Sequence, residues 1–337
     1  MGHKSKSAPR RGSLMYYPRV RARRISGRIR TWPTISGAPK LLGFAGYKVG
    51  TTHLIRIDNR QKSPLFGREV IREITVLEVP PLFVYGYRAY VKSPKGLRTL
   101  GQVLTKSLPK FSERAVVAPK DYDPAPVAAS IEANLANIAE FRVLALTQPV
   151  KAGLGKKTPE PLEIKIGGGE SNGAVLEYAK ALLGKEVKAK DLFTEGQLVD
   201  TIAVTKGKGF QGAVKRFGVK VMPNWHKHRK GHRVVGAISP SKPTGMFTVP
   251  MPGKMGFHQR TDYNKLILKI GENPAEINVS GGFLHYGQVR GDYMLVEGTV
   301  PGPTKRLVRI RFPTRPRSIK VEPPKIVTIN LASKQGA

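Results

Sequence analysis

The chain has 337 residues, with 58 Lys and Arg against 23 Asp and Glu and a formal net charge of +35; its isoelectric point is about 10.5. Hydrophobic residues, 40% of the chain, suffice for a real core, and the length suggests roughly two domains, or one with large insertions. Self-repulsion at this charge calls for a polyanionic partner; no long apolar span or amphipathic basic helix supports a membrane surface, so nucleic acid is favoured, and the lack of Cys excludes disulfides and thiolate metal sites.

Residues 1–43 form a basic tract with Arg10, Arg11, Arg19, Arg21, Arg23, Arg24, Arg28 and Arg30 and no acid before Asp58. No apolar stretch follows the charged start, so it is not a secretory signal and a cytoplasmic protein is expected. Tyr16, Tyr17 and Trp32 lie within the tract. It reads as an arm that orders on RNA, with guanidinium forks on phosphates and rings stacked on bases. Strand patterns follow at 44–58 and 69–79, and after Pro80-Pro81 at 82–91. SPKGLRTLGQ (93–102) reads as a loop and 103–125 as irregular.

Residues 127–138 predict a short helix with Ile131, Leu135 and Ile138 on one face, and 141–149 a buried strand. LEIKIGG is a further strand. Asn172 predicts an N-cap and Gly184 a stop for the helix between them. LVDTIAVTKG (198–207), KLILKIG (265–271) and KRLVRIRFP (305–313) are strands, the last alternating apolar and basic positions. Residues 281–303 read as a hairpin around Arg290-Gly291-Asp292, and the tail returns to charge and Pro. The simplest topology is a small β-barrel from 44–100 and 198–310 with the 141–148 strand, because closure protects strand edges.

Between Asp200 and Asp262 there is no acidic residue. The stretch holds Lys206, Lys208, Lys215, Arg216, Lys227, Arg229, Lys230, Arg233 and Arg260, with His226, His228, His232 and His258. Five prolines and so much like charge predict no fold for the isolated segment. Gly207, Gly209 and Gly212 match G-x-G-x-x-G, the pattern of a dinucleotide or kinase loop. KRFGVKVMP, with Gly218 and Pro223, predicts no helix after it, and the ribose-binding acid is missing, so the glycines read better as points of close approach to a sugar-phosphate chain. A nucleotide-binding enzyme using 207–212 and a DNA-compacting protein stay as alternatives. The His cluster lacks carboxylates to offset its cations, which argues against metal and for stacking or hydrogen bonding to RNA. Nor does any His have the paired carboxylate that a catalytic set needs. Asp200 and Asp262 are expected to pair with basic residues at the root of the stretch.

The residues VDTIAVTKGKGFQGAVKRFG, HRKGHR and GKMGFHQRTDYNKLILKIG, with RRGSLMYYPRVRARR, FAGYKVGTTHLIR and GGFLHYGQVRGDYMLVEGTVPGPTKRLV in the same order, resemble the large-subunit ribosomal protein L-three family of the archaeal and eukaryotic type. The resemblance implies a mainly β fold, a translation-protein-type β-barrel core with an α-containing insertion and two long basic extensions into ribosomal RNA. The central extension would reach towards the peptidyl transferase centre. It also implies an early assembly role, a catalytic centre made of RNA, neighbouring ribosomal proteins as partners, and no cofactor, metal or small-molecule substrate. The implied RNA contacts are Thr205-Lys206-Gly207-Lys208-Gly209 and Gly256 to Thr261, including Gln259. Many relatives carry Trp at the fingertip; Ile238 stands here, an apolar wedge in place of a stacking ring. The expected divisions are a basic arm (1–43), barrel parts (44–102; 198–206 with 263–315), an α/β insertion (103–197), the central extension (207–262) and a tail (316–337).

Overall fold

The computed structural model describes residues 12–61, 63–117, 122–224, 230–239, 244–316 and 322–333. In chain order the strands and helices are β1 (Lys40–Leu41), β2 (Gly43–Ile57), β3 (Glu69–Glu78), β4 (Leu82–Ser93), β5 (Gly96–Leu104), α1 (Ala125–Ala133), β6 (Ile138–Leu146), β7 (Pro161–Gly167), α2 (Asn172–Leu182) and β8 (Glu186–Val187). They continue with β9 (Leu198–Val204), β10 (Gly207–Gln211), α3 (Ala213–Phe217), β11 (Gly253–Gly256), β12 (Gln259–Gly271), β13 (Tyr293–Glu297), β14 (Leu307–Arg311) and β15 (Ile326–Ile329). The protein is mainly β, as expected. It divides into two compact units: residues 1–24 with 204–259, and residues 25–203 with 260–337.

In the larger unit, strands pair in the order β14-β9-β12-β13-β3-β2, and β2 pairs β14 in turn, which closes a ring. The length of β2 makes this possible. Its first residues, Gly43–Tyr47, pair with β14, while Leu54–Arg56 pair with β15. The inward residues Phe44, Val49, Leu54, Ile74, Val76, Ile267, Leu295 and Val308 are buried and belong to one core. The C-terminal tail, read as charge and Pro alone, thus contributes a strand.

The strands expected at 82–91 and 141–149, the second of them assigned to the barrel, are not part of this ring. They form a second sheet, β1-β7-β6-β4-β5, with β8 on β4. The reason lies at Pro80-Pro81: proline has no N–H for the ladder and disfavours continuation, so β4 leaves the partner that β3 keeps. Strand pattern alone does not choose between sheets. The stretch 93–102, expected as a loop, is the turn and outer strand of a β4–β5 hairpin, with Ser93 opposite Gly96. Gly96–Leu100 are exposed on this edge strand, so no buried apolar alternation marks it.

Two further expectations are corrected. Residues 281–292 are irregular, and only Tyr293–Glu297 is a strand. The buried Glu78 carboxylate holds this loop, accepting from Arg290 N and Gly291 N (both 2.9 Å), Gly153 N (3.0 Å) and the Tyr286 hydroxyl. The N-cap of α2 is Ser171, whose Oγ accepts from Ala174 N at 3.3 Å. Asn172 instead donates its side-chain amide to Leu135 O and Ile138 O, at 2.9 and 3.0 Å, so it ties α2 to the end of the α1 segment. The basic residues Arg309 and Arg311 of β14 are buried, 9% and 5% exposed. Arg311 is compensated by Asp200 at 3.1 Å.

Candidate nucleic-acid interface

The smaller unit contains no acidic residue. It begins with a two-stranded ribbon: β10 pairs antiparallel with β11, Gly207 opposite Gly256, Phe210 opposite Lys254 and Gln211 opposite Gly253. Between the first two pairs β10 carries one extra residue, a β-bulge with Gly209 at φ +67°. A glycine in the left-handed region is what such a bulge uses. Gln211 Nε2 donates to Lys208 O at 2.8 Å and braces it. Across the ribbon, Gly256 has φ +73° and a Cβ there would collide with Lys206 O, so glycine is required on both geometric and steric grounds.

A short helix, α3, does follow the glycines, contrary to expectation. It is five residues long and ends at Gly218 with φ +69°. Gly207 and Gly209 nevertheless lie inside a strand rather than in a loop between strand and helix, so the dinucleotide geometry is not formed. The apolar side chains of α3 build a small core: Ala213, Phe217 and Val219, with Leu14, Tyr17 and Val235 against them. Tyr17 also meets Phe247 edge-on at 5.2 Å and donates to Phe247 O. Residues of the first basic tract and of the central stretch therefore share one core.

With no carboxylate present, arginines close the backbone instead. Arg216 donates to Lys254 O (3.1 Å), Met251 O (2.9 Å) and Arg19 O (3.3 Å). Arg19 donates to Arg216 O and to Ser13 O. Both guanidinium groups lie over the Phe217 ring, at 4.3 and 5.0 Å from its centroid, a favourable cation–π arrangement. Desolvation, and then the neighbouring Arg216 charge, lower the Arg19 pKa from its ordinary value.

His258, expected at the RNA, is buried at 6% exposure. Its Nδ1 lies 2.8 Å from Val20 O, and its backbone joins Thr205 through Thr205 N to His258 O at 2.9 Å and His258 N to Thr205 Oγ1 at 3.1 Å. Exposed cations of the smaller unit are Arg21, Arg23, Arg24, Lys206, Lys208, Lys215, Lys220, Lys230, Arg233 and Lys254. His232 and Gln259 are half-buried. Ile238 is 40% exposed, and its carbonyl accepts from Met246 N at 3.0 Å. Arg10, Arg11, His226, Lys227, His228 and Arg229, and Trp225 beside them, lie outside the described residues.

In the larger unit Arg28 and Arg30 are exposed and Arg260 is half-buried. Trp32, expected to stack on bases, packs on the core against Gly43. Asp200, expected at the root of the basic stretch, is fully buried and also accepts from Asn264 N (3.0 Å) and Thr314 N (3.2 Å). Asp262 meets Lys265 at 3.9 Å. Among the described residues no group of three His, Asp or Glu is placed to hold a metal ion, and no helix is long and apolar enough to cross a membrane. Sequence reasoning missed Phe210, 71% exposed on the ribbon. Its signal was present: an aromatic residue between glycines and lysines, with no apolar periodicity to bury it.

Comparison with known proteins agrees with these features. The family model described as ribosomal protein L3 matches residues 1–336. The chain is similar to the large ribosomal subunit protein uL3 of Pyrobaculum aerophilum, 52% identical and covering 91% of this chain and 92% of the relative. It is similar to that of Sulfurisphaera tokodaii, 47% identical over the whole of both chains. The protein of the same name from Methanocorpusculum labreanum is 46% identical, covering 97% of this chain and 98% of the relative.

Proposed function

The chain belongs to the ribosomal protein L3 family, structural constituents of the large ribosomal subunit of the cytoplasm, and we propose that it binds ribosomal RNA chiefly through the acid-free unit. One observation carries this reading. Arg19 and Arg216 spend their donors on backbone carbonyls and hold the unit together, while Lys206, Lys208, Lys215, Lys220, Lys230, Arg233 and Lys254 stand in solvent with no acid in the unit to neutralise them. Such a surface stays costly until phosphates compensate it.

The division of labour follows from chemistry. Exposed Lys and Arg neutralise phosphates, and such contacts position a protein on RNA without reading sequence. The open glycines Gly209 and Gly212, beside which an added Cβ would find no atom within 4 Å, let backbone approach a sugar-phosphate chain. Arg28 and Arg30 extend the same surface chemistry to the larger unit. Arg10, Arg11 and the cluster from His226 to Arg229 contribute through charge and ring, and Ile238 is the apolar wedge of the extension. The protein acts as scaffold and assembly factor near the RNA catalytic centre, with ribosomal RNA and neighbouring ribosomal proteins as partners and no chemistry of its own.

Charge reversal at Lys206 and Lys208 tests the reading. Both side chains are exposed, so the double Glu variant is expected to keep the wild-type melting temperature and to co-sediment poorly with large subunits. Undiminished incorporation would remove these lysines from the interface.

A further inference from the structure

The two faces of the β10–β11 ribbon are unlike. Gln211 and Gly253 are directly opposite, and on that face Arg216 covers Gly253: a Cβ there would lie 3.0 Å from Arg216 Nη1. The neighbouring pair, Phe210 with Lys254, points to the other face, since successive residues of a strand alternate. Phe210 is 71% exposed and Lys254 is exposed beside it. Several other rings among the described residues of the unit have partners. Tyr17 meets Phe217 and Phe247, Arg19 and Arg216 lie over Phe217, and Arg21 over Phe257. Phe210 is left projecting into water, held out by a bulge that fixes where it aims.

We propose that Phe210 is a stacking post for an unpaired RNA base, with Lys254 across the ribbon taking the adjoining phosphate. This rests on the RNA-binding reading above and adds the part of the RNA engaged: a single-stranded or bulged nucleotide rather than a continuous duplex. A phenyl ring has no hydrogen-bonding group, so it cannot read a base edge. With RNA its strongest interaction is stacking on a base face, and in single strands such faces are open. A protein partner would also cover an exposed ring, but the acid-free surroundings (Lys206, Lys208, Lys215 and Lys254) favour a polyanion. Cross-strand register supplies the pairing of ring and cation that stacking on a phosphodiester chain requires, because opposite residues on one face lie about 5 Å apart.

The test uses the full-length protein with two probes: a single-stranded oligoadenylate of about 12 nucleotides carrying one 2-aminopurine, and a fully paired RNA duplex with the same number of phosphates. Phe210→Ala is expected to weaken single-strand binding by roughly tenfold or more, to abolish the quenching of 2-aminopurine, and to leave duplex affinity unchanged. Phe210→Trp is expected to restore both. Equal affinity of Phe210→Ala and wild type for the single strand overturns the proposal and leaves the ring to a protein partner. An equal loss on both probes overturns it too, because the ring then supports the ribbon rather than a base. Salt-independent binding of both probes by the wild-type protein would instead bring down the RNA-binding reading on which the proposal stands.

Discussion

Arg19 and Arg216 sit against the same phenyl ring, and their donors go to main-chain carbonyls. By residue type they cannot be told from Arg233, which stands in solvent; a unit without acids still needs hydrogen-bond closure, and a guanidinium with five donors supplies it. His258 makes the same point, since its ring binds Val20 O in a buried position. In the larger unit the carboxylates carry the opposite logic. Burial would raise the pKa of Glu140, but hydrogen bonds and charge from Lys165 (2.8 Å) and Arg142 outweigh it and hold the carboxyl below the usual range. Hydrogen bonding from the Arg60 guanidinium, at 2.8 Å, does the same for Asp58 against a smaller desolvation. A depressed folded pKa means stability that is complete above the unfolded carboxylate range, about 4, and is lost as pH falls through the folded values. Thermal melts are therefore expected to be flat from neutrality down to about pH 5 and to fall steeply below about pH 4. Glu140→Gln should flatten that fall and lower the melting temperature at neutral pH, since it leaves Arg142 and Lys165 face to face on paired strands.

At the scale of elements, the ribbon and the hairpins show what local pattern leaves open. GKGFQ has no alternation and four small or polar residues, so its strand state comes from its partner β11 and from the bulge, neither of which is local. The same holds for β15, which becomes a strand because β2 extends beyond the reach of β14 and offers its edge. The five-residue α3 is below the length at which a helix is stable alone; Phe217 and Ala213 packed on Leu14 and Tyr17 sustain it. The ribbon allows a paired test. Gly256→Ala places a Cβ on Lys206 O and is expected to open the β10–β11 pairing, seen as fast amide exchange at Phe257 N, which donates to Lys206 O at 3.1 Å. Gly209→Ala meets no atom within 4 Å and should cost only the left-handed backbone, about 1–2 kcal/mol. Equal protection of the two variants would show that steric collision does not limit the ribbon.

Over the whole molecule, charge is partitioned. Acids are confined to the larger unit, where they meet cations in pairs such as Arg56 with Glu297, Arg88 with Glu163 and Lys269 with Glu276. The smaller unit keeps its charge unanswered. If each of Lys206, Lys208, Lys215, Lys220, Lys230, Arg233 and Lys254, all exposed, engages one phosphate, the logarithm of the RNA affinity should fall against log salt with a slope of about −5, at roughly 0.7 per contact on single strands. A slope near zero in a filter-binding titration would refute a phosphate-based interface. The partition also explains why the first basic tract is less of a separate arm than its composition suggests. Residues 12–24 find their apolar partners, through Leu14 and Tyr17, in the central stretch, whereas Ile29 is buried and Trp32 packs on the core of the larger unit.

Composition and order of residues alone determined the mainly β class, the excess of positive charge, the acid-free interval from Asp200 to Asp262 and the family. Each of these depends on which side chains are present and on short-range periodicity, and both are written locally. Tertiary structure decided which strands share a sheet, that residues of two distant basic tracts share one small core, and which cations bind backbone carbonyls and which stand in solvent. Those outcomes depend on long-range pairing and on burial, and a residue's neighbours in sequence specify neither. Phe210 lies on that boundary: its letter was always visible, but only the register with Lys254 and the covered opposite face turn it into a ring aimed at solvent.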